Sequence, residues 1–258
     1  MSEQPYAGRF VWRDLMTTDL ERSKAFLLAF FDWETEEYDM GEGALYTMFK
    51  VPGESTFGGI VELDADHGLP SHWMSYVSTE DVDDFCARAS DMGATISVEP
   101  TDIPDIGRFA VVADPQGANI SVMSELDRTV TPTPMTIPPG HVVWNELMTS
   151  DVDAATAFYT RMFDWSTQVA DVGTGPYTLM MQSETPIAGI MARSAEMPVS
   201  SWGIYFEVAD ADAAAAKAAE LGAEVLMPTM DVPTVGKLVW ISEPAGAMFG
   251  LMQSAPME

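Results

Sequence analysis

The stretch VWRDLMTTD, Val11 to Asp19, is written a second time as VWNELMTSD, Val143 to Asp151. Both read as a short strand, Phe10 to Met16 in the first and Val142 to Met148 in the second. A Thr-Asp or Ser-Asp pair follows, the usual N-cap of a helix. Behind it runs an amphipathic helical pattern: Leu20, Phe26, Leu27, Phe30 and Phe31 in the first copy, Val152, Ala155, Phe158, Tyr159, Met162 and Phe163 in the second.

The repetition extends outward from this unit. Asp32 and Trp33 return as Asp164 and Trp165, Tyr46 as Tyr177, Gly59 as Gly189, and Trp73 and Tyr76 as Trp202 and Tyr205. Gly107-Arg108 returns as Gly236-Lys237, and the turn DPQGA (Asp114 to Ala118) as EPAGA (Glu243 to Ala247). The interval between partners shortens only by single residues, as loop deletions would make it, so the chain is a tandem duplication. The proline- and threonine-rich segment DRTVTPTPMTIPPG between the copies suits an extended linker. The expected division is a first domain over 1–126, a linker over 127–139 and a second domain over 140–258.

Within each copy the order strand, helix, three strands is read twice. The second helices end at Met92-Gly93 and Leu221-Gly222, where glycine serves as the terminal cap. This is an α+β design: two tandem domains, each a pair of βαβββ modules forming a curved, cup-shaped mixed sheet with helices on its outer face.

Composition narrows the function. The 258 residues are 47% hydrophobic and 10% aromatic, enough for a large globular core. Forty acidic residues against 12 basic ones leave a net charge of −28, a field that repels phosphate backbones and anionic bilayers, so neither nucleic acid nor membrane is an expected partner. The acids are spread along the chain, as on a surface suited to high salt, where screening removes self-repulsion. No apolar run is long enough to span a bilayer. The opening MSEQPYAGRF lacks a signal peptide's basic and apolar regions, so a cytoplasmic protein is expected. Cys86, the single cysteine, reads as a buried structural thiol.

The module order, the D-P-x-G-A turn and the D-x-x-x-A-x-x-F segment after the first strand resemble the vicinal oxygen chelate superfamily, the group of glyoxalase I, bleomycin-resistance proteins and extradiol dioxygenases. WNEL (Trp144 to Leu147), IPDIGRFAV (Ile103 to Val111) and DPQGA are similar to its two-domain glyoxalase-like branch, which includes a secreted mycobacterial antigen. The resemblance covers nearly the whole chain and implies metal ligands at set positions facing the cup. The first-strand position holds Trp12 and Trp144, the fifth-strand position His72 and Ser201, and the last-strand position Ser121 and Gly250. Indole and glycine supply no ligand, and only His72 is a plausible donor. His67 and His141 lie in a loop and at a strand start. No metal and no cofactor are therefore expected.

Strand alternation puts residues two apart on one face. It places Phe10, Trp12, Asp14 and Met16 in the first cup, with Val11 and Leu15 toward the helix. Val142, Trp144, Glu146 and Met148 follow in the second. The fifth strands add His72, Met74 and Tyr76, and Ser201, Gly203 and Tyr205. The last strands add Ser121 and Met123, and Gly250 and Met252. A Trp, Tyr and Met lining with few polar groups suits a small, partly aromatic or apolar ligand. The competing expectation is that the two copies close on each other across these faces.

Asp14, Glu146 and His72 are the candidate catalytic groups, since a buried acid gains a raised pKa suited to proton transfer. Arg108 and Lys237, a basic pair kept in both copies, are candidate ligand anchors or partners of those acids. Three functions fit: a small-molecule-binding protein, a glyoxalase-type lyase or isomerase acting on an aldehyde or its thiol adduct, and an antibiotic-binding resistance protein. The assembly is expected to be a monomer, as an internal pseudo-dimer, or a homodimer.

Overall fold

The computed structural model describes residues 6–41, 45–64, 66, 68–127, 137–172 and 176–256. His67 and residues 128–136 of the expected linker lie outside the described residues. The first copy forms β1 (Phe10–Thr17), α1 (Leu20–Phe31), β2 (Glu34–Asp39), β3 (Leu45–Lys50), β4 (Thr56–Glu62), β5 (His72–Ser78), α2 (Val82–Asp91), β6 (Thr95–Ile103), β7 (Gly107–Ala113) and β8 (Asn119–Glu125). The second forms β9 (Val142–Thr149), α3 (Val152–Phe163), β10 (Ser166–Asp171), β11 (Pro176–Gln182), β12 (Thr185–Ala192) and β13 (Ser201–Glu207). It ends with α4 (Ala211–Glu220), β14 (Glu224–Val225), β15 (Met230–Val232), β16 (Gly236–Ser242) and β17 (Met248–Ser254).

Each copy makes its own mixed sheet, in the orders β2-β3-β4-β1-β5-β8-β7-β6 and β10-β11-β12-β9-β13-β17-β16-β14. Two βαβββ modules meet in each through antiparallel pairing of their first strands, β1 with β5 and β9 with β13. Asp19, Asp81, Asp151 and Asp210 cap the four helices, each accepting a backbone N–H of the first turn.

The helices stand on the face opposite the cup, and that face is the seam between domains. One core joins Val77, Phe85 and Val112 of the first domain to Phe158, Tyr159, Phe163 and Trp202 of the second. The other joins Leu15, Phe26, Phe30 and Trp73 to Phe206, Phe249 and Leu251. The cups therefore do not close on each other; the sheets pack back to back. Trp33 Nε1 donates to Gly140 O and Trp165 Nε1 to Gly8 O, both at 3.0 Å, so the seam has an internal two-fold symmetry. Gly8 and Gly140 adopt φ of 84° and 86°, a conformation that favours glycine.

A bulge at the start of each first strand alters the expected alternation. Between Phe10 and Trp12, and opposite Tyr205 and Phe206, the register shifts. Phe10 consequently packs on Trp165 and Trp202 in the seam, and Val142 joins the second core. Val11, expected toward the helix, packs in the first cup instead.

Because the two larger cores are each shared by both domains, the chain should unfold in one calorimetric transition, and two resolved transitions would contradict the shared cores. Phe206 is fully buried among Phe31, Trp33, Trp73 and Phe249. Phe206→Ala should cost about 3–5 kcal/mol and shift that single transition without splitting it.

Candidate functional site

Each cup has one buried acid on its first strand. Asp14 is 6% exposed and Glu146 7%. A carboxylate so placed costs free energy unless donors replace its lost water, and the donors are tyrosines. Asp14 Oδ1 accepts from the Tyr46 hydroxyl and, at 3.1 Å, from Trp12 Nε1, while Oδ2 accepts from Tyr76 at 2.8 Å. Glu146 Oε1 accepts from Tyr177 at 2.6 Å and Oε2 from Tyr205 at 2.7 Å. Trp12 and Trp144 donate to the Tyr46 and Tyr177 hydroxyls at 2.8 and 2.9 Å. Both cups thus carry the same Trp–Tyr–acid–Tyr arrangement.

Glycine makes room for it. Gly59 and Gly189 lie opposite the acids in the parallel pairs β1·β4 and β9·β12. A Cβ on Gly59 would stand 2.0 Å from the Tyr46 hydroxyl oxygen, and one on Gly189 only 1.8 Å from that of Tyr177. The tyrosine hydroxyls occupy the space where those side chains would be.

Burial pushes both acids above the usual carboxylate range, and the hydrogen bonds pull them back in part: Tyr46, Tyr76 and Trp12 at Asp14, Tyr177 and Tyr205 at Glu146. Burial, then the adjacent carboxylates, hold the four tyrosines far above their ordinary value, so they stay protonated donors.

Several expected residues gather around the acids. Met74, Tyr76 and Met123 form a buried cluster on which Trp12 and Met16 pack, and Ser121 lies beside Tyr76 in the β5·β8 register. In the second cup Met148 pairs with Ser201 beside Glu146, and Met252 is buried two residues along β17 from Gly250. His72 stands at the start of β5 opposite Met16, its Nδ1 2.8 Å from Pro70 O, and makes no bond to Asp14.

Arg108 and Lys237 are not cup residues. They project from the other face, where Arg108 pairs with Asp83 and Asp102 and Lys237 with Asp212. Their one-residue offset from cup-facing Phe109 and Leu238 sets that direction. Sequence reasoning missed the roles of Tyr46 and Tyr177, although both recur in the repeat beside recurring glycines. It also missed Trp240, whose first-domain counterpart is Val111.

Residues 9–122 and 139–251 match the glyoxalase/bleomycin resistance protein/dioxygenase superfamily. The chain belongs to that superfamily. It is 31% identical over 251 residues, 96% of this chain and 95% of the relative, to "Putative glyoxylase CFP32" of Mycobacterium tuberculosis. It is 30% identical over 263 residues, 95% and 93% of the two chains, to anthracycline biosynthesis protein DnrV of Streptomyces peucetius. The fold is similar to a Mn(II)-bound glyoxalase from Novosphingobium aromaticivorans, with TM-score 0.64, 13% identity and coverage of 96% and 82%. It is also similar to the 2,3-dioxygenase LapB from Pseudomonas sp. KL28, with TM-score 0.66, 13% identity and coverage of 98% and 94%.

The metal that the superfamily implies does not fit these residues. At the first-strand position stands an indole whose N–H is already donated, and the acid beside it is bonded to tyrosine hydroxyls. Among the described residues, no three His, Cys, Asp or Glu side chains group closely enough to hold an ion.

Carbon-detected carboxyl titration by NMR should place Asp14 and Glu146 above ordinary carboxylates, and Tyr46→Phe should raise Asp14 further by removing a donor. A native pKa at or below about 4 for either acid would contradict this. With a raised acid, the native state keeps a proton that the unfolded chain has released. Stability therefore falls as pH rises from the unfolded value through the native one. Asp14→Asn and Glu146→Gln should remove that part of the fall.

Proposed function

We propose that the protein is a small-molecule-binding member of its superfamily. It takes a partly aromatic or apolar molecule into one or both of its cups, with Asp14 or Glu146 as the polar anchor in place of a metal. The observation that carries this reading is the acid–tyrosine arrangement, repeated in both domains and set in walls of Trp, Tyr and Met. A concave apolar surface with a few convergent polar groups is the usual form of a ligand site. The wall supplies affinity by burying apolar area, and the acid selects orientation by accepting or donating one hydrogen bond. The relative named for anthracycline biosynthesis supports an aromatic ligand class.

The glyoxylase name of the other relative and the raised pKa of both acids favour a second reading, a glyoxalase-type isomerase. In it, Asp14 or Glu146 would take the C–H proton of a hemithioacetal and return it to the adjacent carbonyl carbon, while the hemithioacetal hydroxyl proton passes to the carbonyl oxygen, giving the α-hydroxy thioester.

Titration with quinizarin, a planar hydroxyanthraquinone, should quench tryptophan emission saturably. The double variant Asp14→Asn/Glu146→Gln should bind it about tenfold more weakly. No saturable quenching, together with methylglyoxal–thiol turnover that is lost in the same variant, would replace the binding reading with the enzymatic one.

A further inference from the structure

The two cups share their acid and its tyrosines but differ at three neighbouring positions. Met74, Val111 and Ser121 of the first cup are replaced by Gly203, Trp240 and Gly250 in the second. These lie on the adjacent strands β13, β16 and β17, with Trp240 directly opposite Gly250. Two side chains are deleted and a third is enlarged to an indole.

The indole fills the space left at Gly203, the Tyr205 ring fills that at Gly250, and the indole is held at two points. A Cβ on Gly203 would lie 2.5 Å from Trp240 Cη2, so the benzo edge rests where Met74 has its side chain in the other domain. Farther along the same edge, Nε1 donates to the Tyr205 hydroxyl at 2.9 Å, and the two rings meet edge to face with centroids 5.0 Å apart. The same hydroxyl donates to Glu146. Trp240 is therefore a fixed, half-buried aromatic surface joined to the acid through one shared hydroxyl. A rigid ring binds another ring with little loss of conformational freedom.

The first cup is packed differently. Met74, Tyr76 and Met123 fill it with Met16 and Phe109. Tyr38, on edge strand β2, donates to Pro104 O at 3.4 Å beyond the end of β6, linking the two edges of that sheet. Ala170, which pairs with Tyr177 as Tyr38 pairs with Tyr46, has no hydroxyl to make such a link.

We propose that the second cup is a stacking site for one planar aromatic molecule without negative charge. Trp240 is its platform and Glu146 the hydrogen-bond partner of its polar edge; the first cup does not take this ligand class. The exclusion of an anion follows from Glu146 itself and from Lys237, the basic residue of β16, which turns away to Asp212 and offers a ligand anion nothing. This inference rests on the ligand-binding reading above.

The test is stoichiometric titration of the full chain with quinizarin, using Trp240→Val, which installs the first cup's residue, and Trp240→Phe, which keeps a ring. One equivalent should bind. Trp240→Val should weaken it tenfold or more, about the size of a lost stacking contact, and Trp240→Phe should stay within about threefold of wild type. Two equivalents of equal affinity, or wild-type affinity in Trp240→Val, would overturn the inference and leave the binding reading standing. Absence of saturable binding to the wild type would overturn both.

Discussion

A carboxylate turned toward an apolar wall must be supplied with hydrogen bonds, and the cup architecture follows from meeting that need twice. Leaving such a group unsatisfied costs a large share of a domain's marginal stability. Here each acid is bridged by two tyrosine hydroxyls. The nearer tyrosine can approach only because the acid's neighbour on the parallel strand is glycine, and it is steadied by a tryptophan N–H. Acid, tyrosines, tryptophan and glycine form one unit, in which removing the acid takes the acceptor from two tyrosine hydroxyls.

That unit is kept apart from the forces that hold the chain together. Each sheet has two faces with different duties. One buries its helices and the back of the other domain in two shared cores. The other faces the cup and carries the acids. The pairs Trp33–Gly140 and Trp165–Gly8 fix the domains across the seam, so residues in the cups are free to diverge. Gly203, Trp240 and Gly250 against Met74, Val111 and Ser121 are one such divergence, on three neighbouring strands of one sheet.

The fold was legible because duplication is a property of sequence order, and helix caps and turn residues act locally. Asp14 and Glu146 were legible because an acid two residues after a tryptophan on an apolar stripe has to be explained. Where sequence reasoning went astray, the cause was geometric. A one-residue bulge sent Phe10 and Val142 to the seam, and alternation alone cannot register an inserted residue. Arg108 and Lys237 were drawn toward the acids by charge, yet a single step along β7 and β16 turns them to Asp83, Asp102 and Asp212. Trp240 had no repeated partner to announce it. Its signal was the loss of side chains at Gly203 and Gly250, which gains meaning only when the strands are known to be adjacent.

The central claim is that tyrosine hydroxyls, not a metal ion, satisfy the acid in each cup. Equilibrium dialysis against manganese, iron, nickel and zinc, followed by elemental analysis, tests it most directly. Far less than one equivalent of any metal should be retained, unchanged in Asp14→Asn and Glu146→Gln. A full equivalent bound per cup, and lost in those variants, would contradict the account.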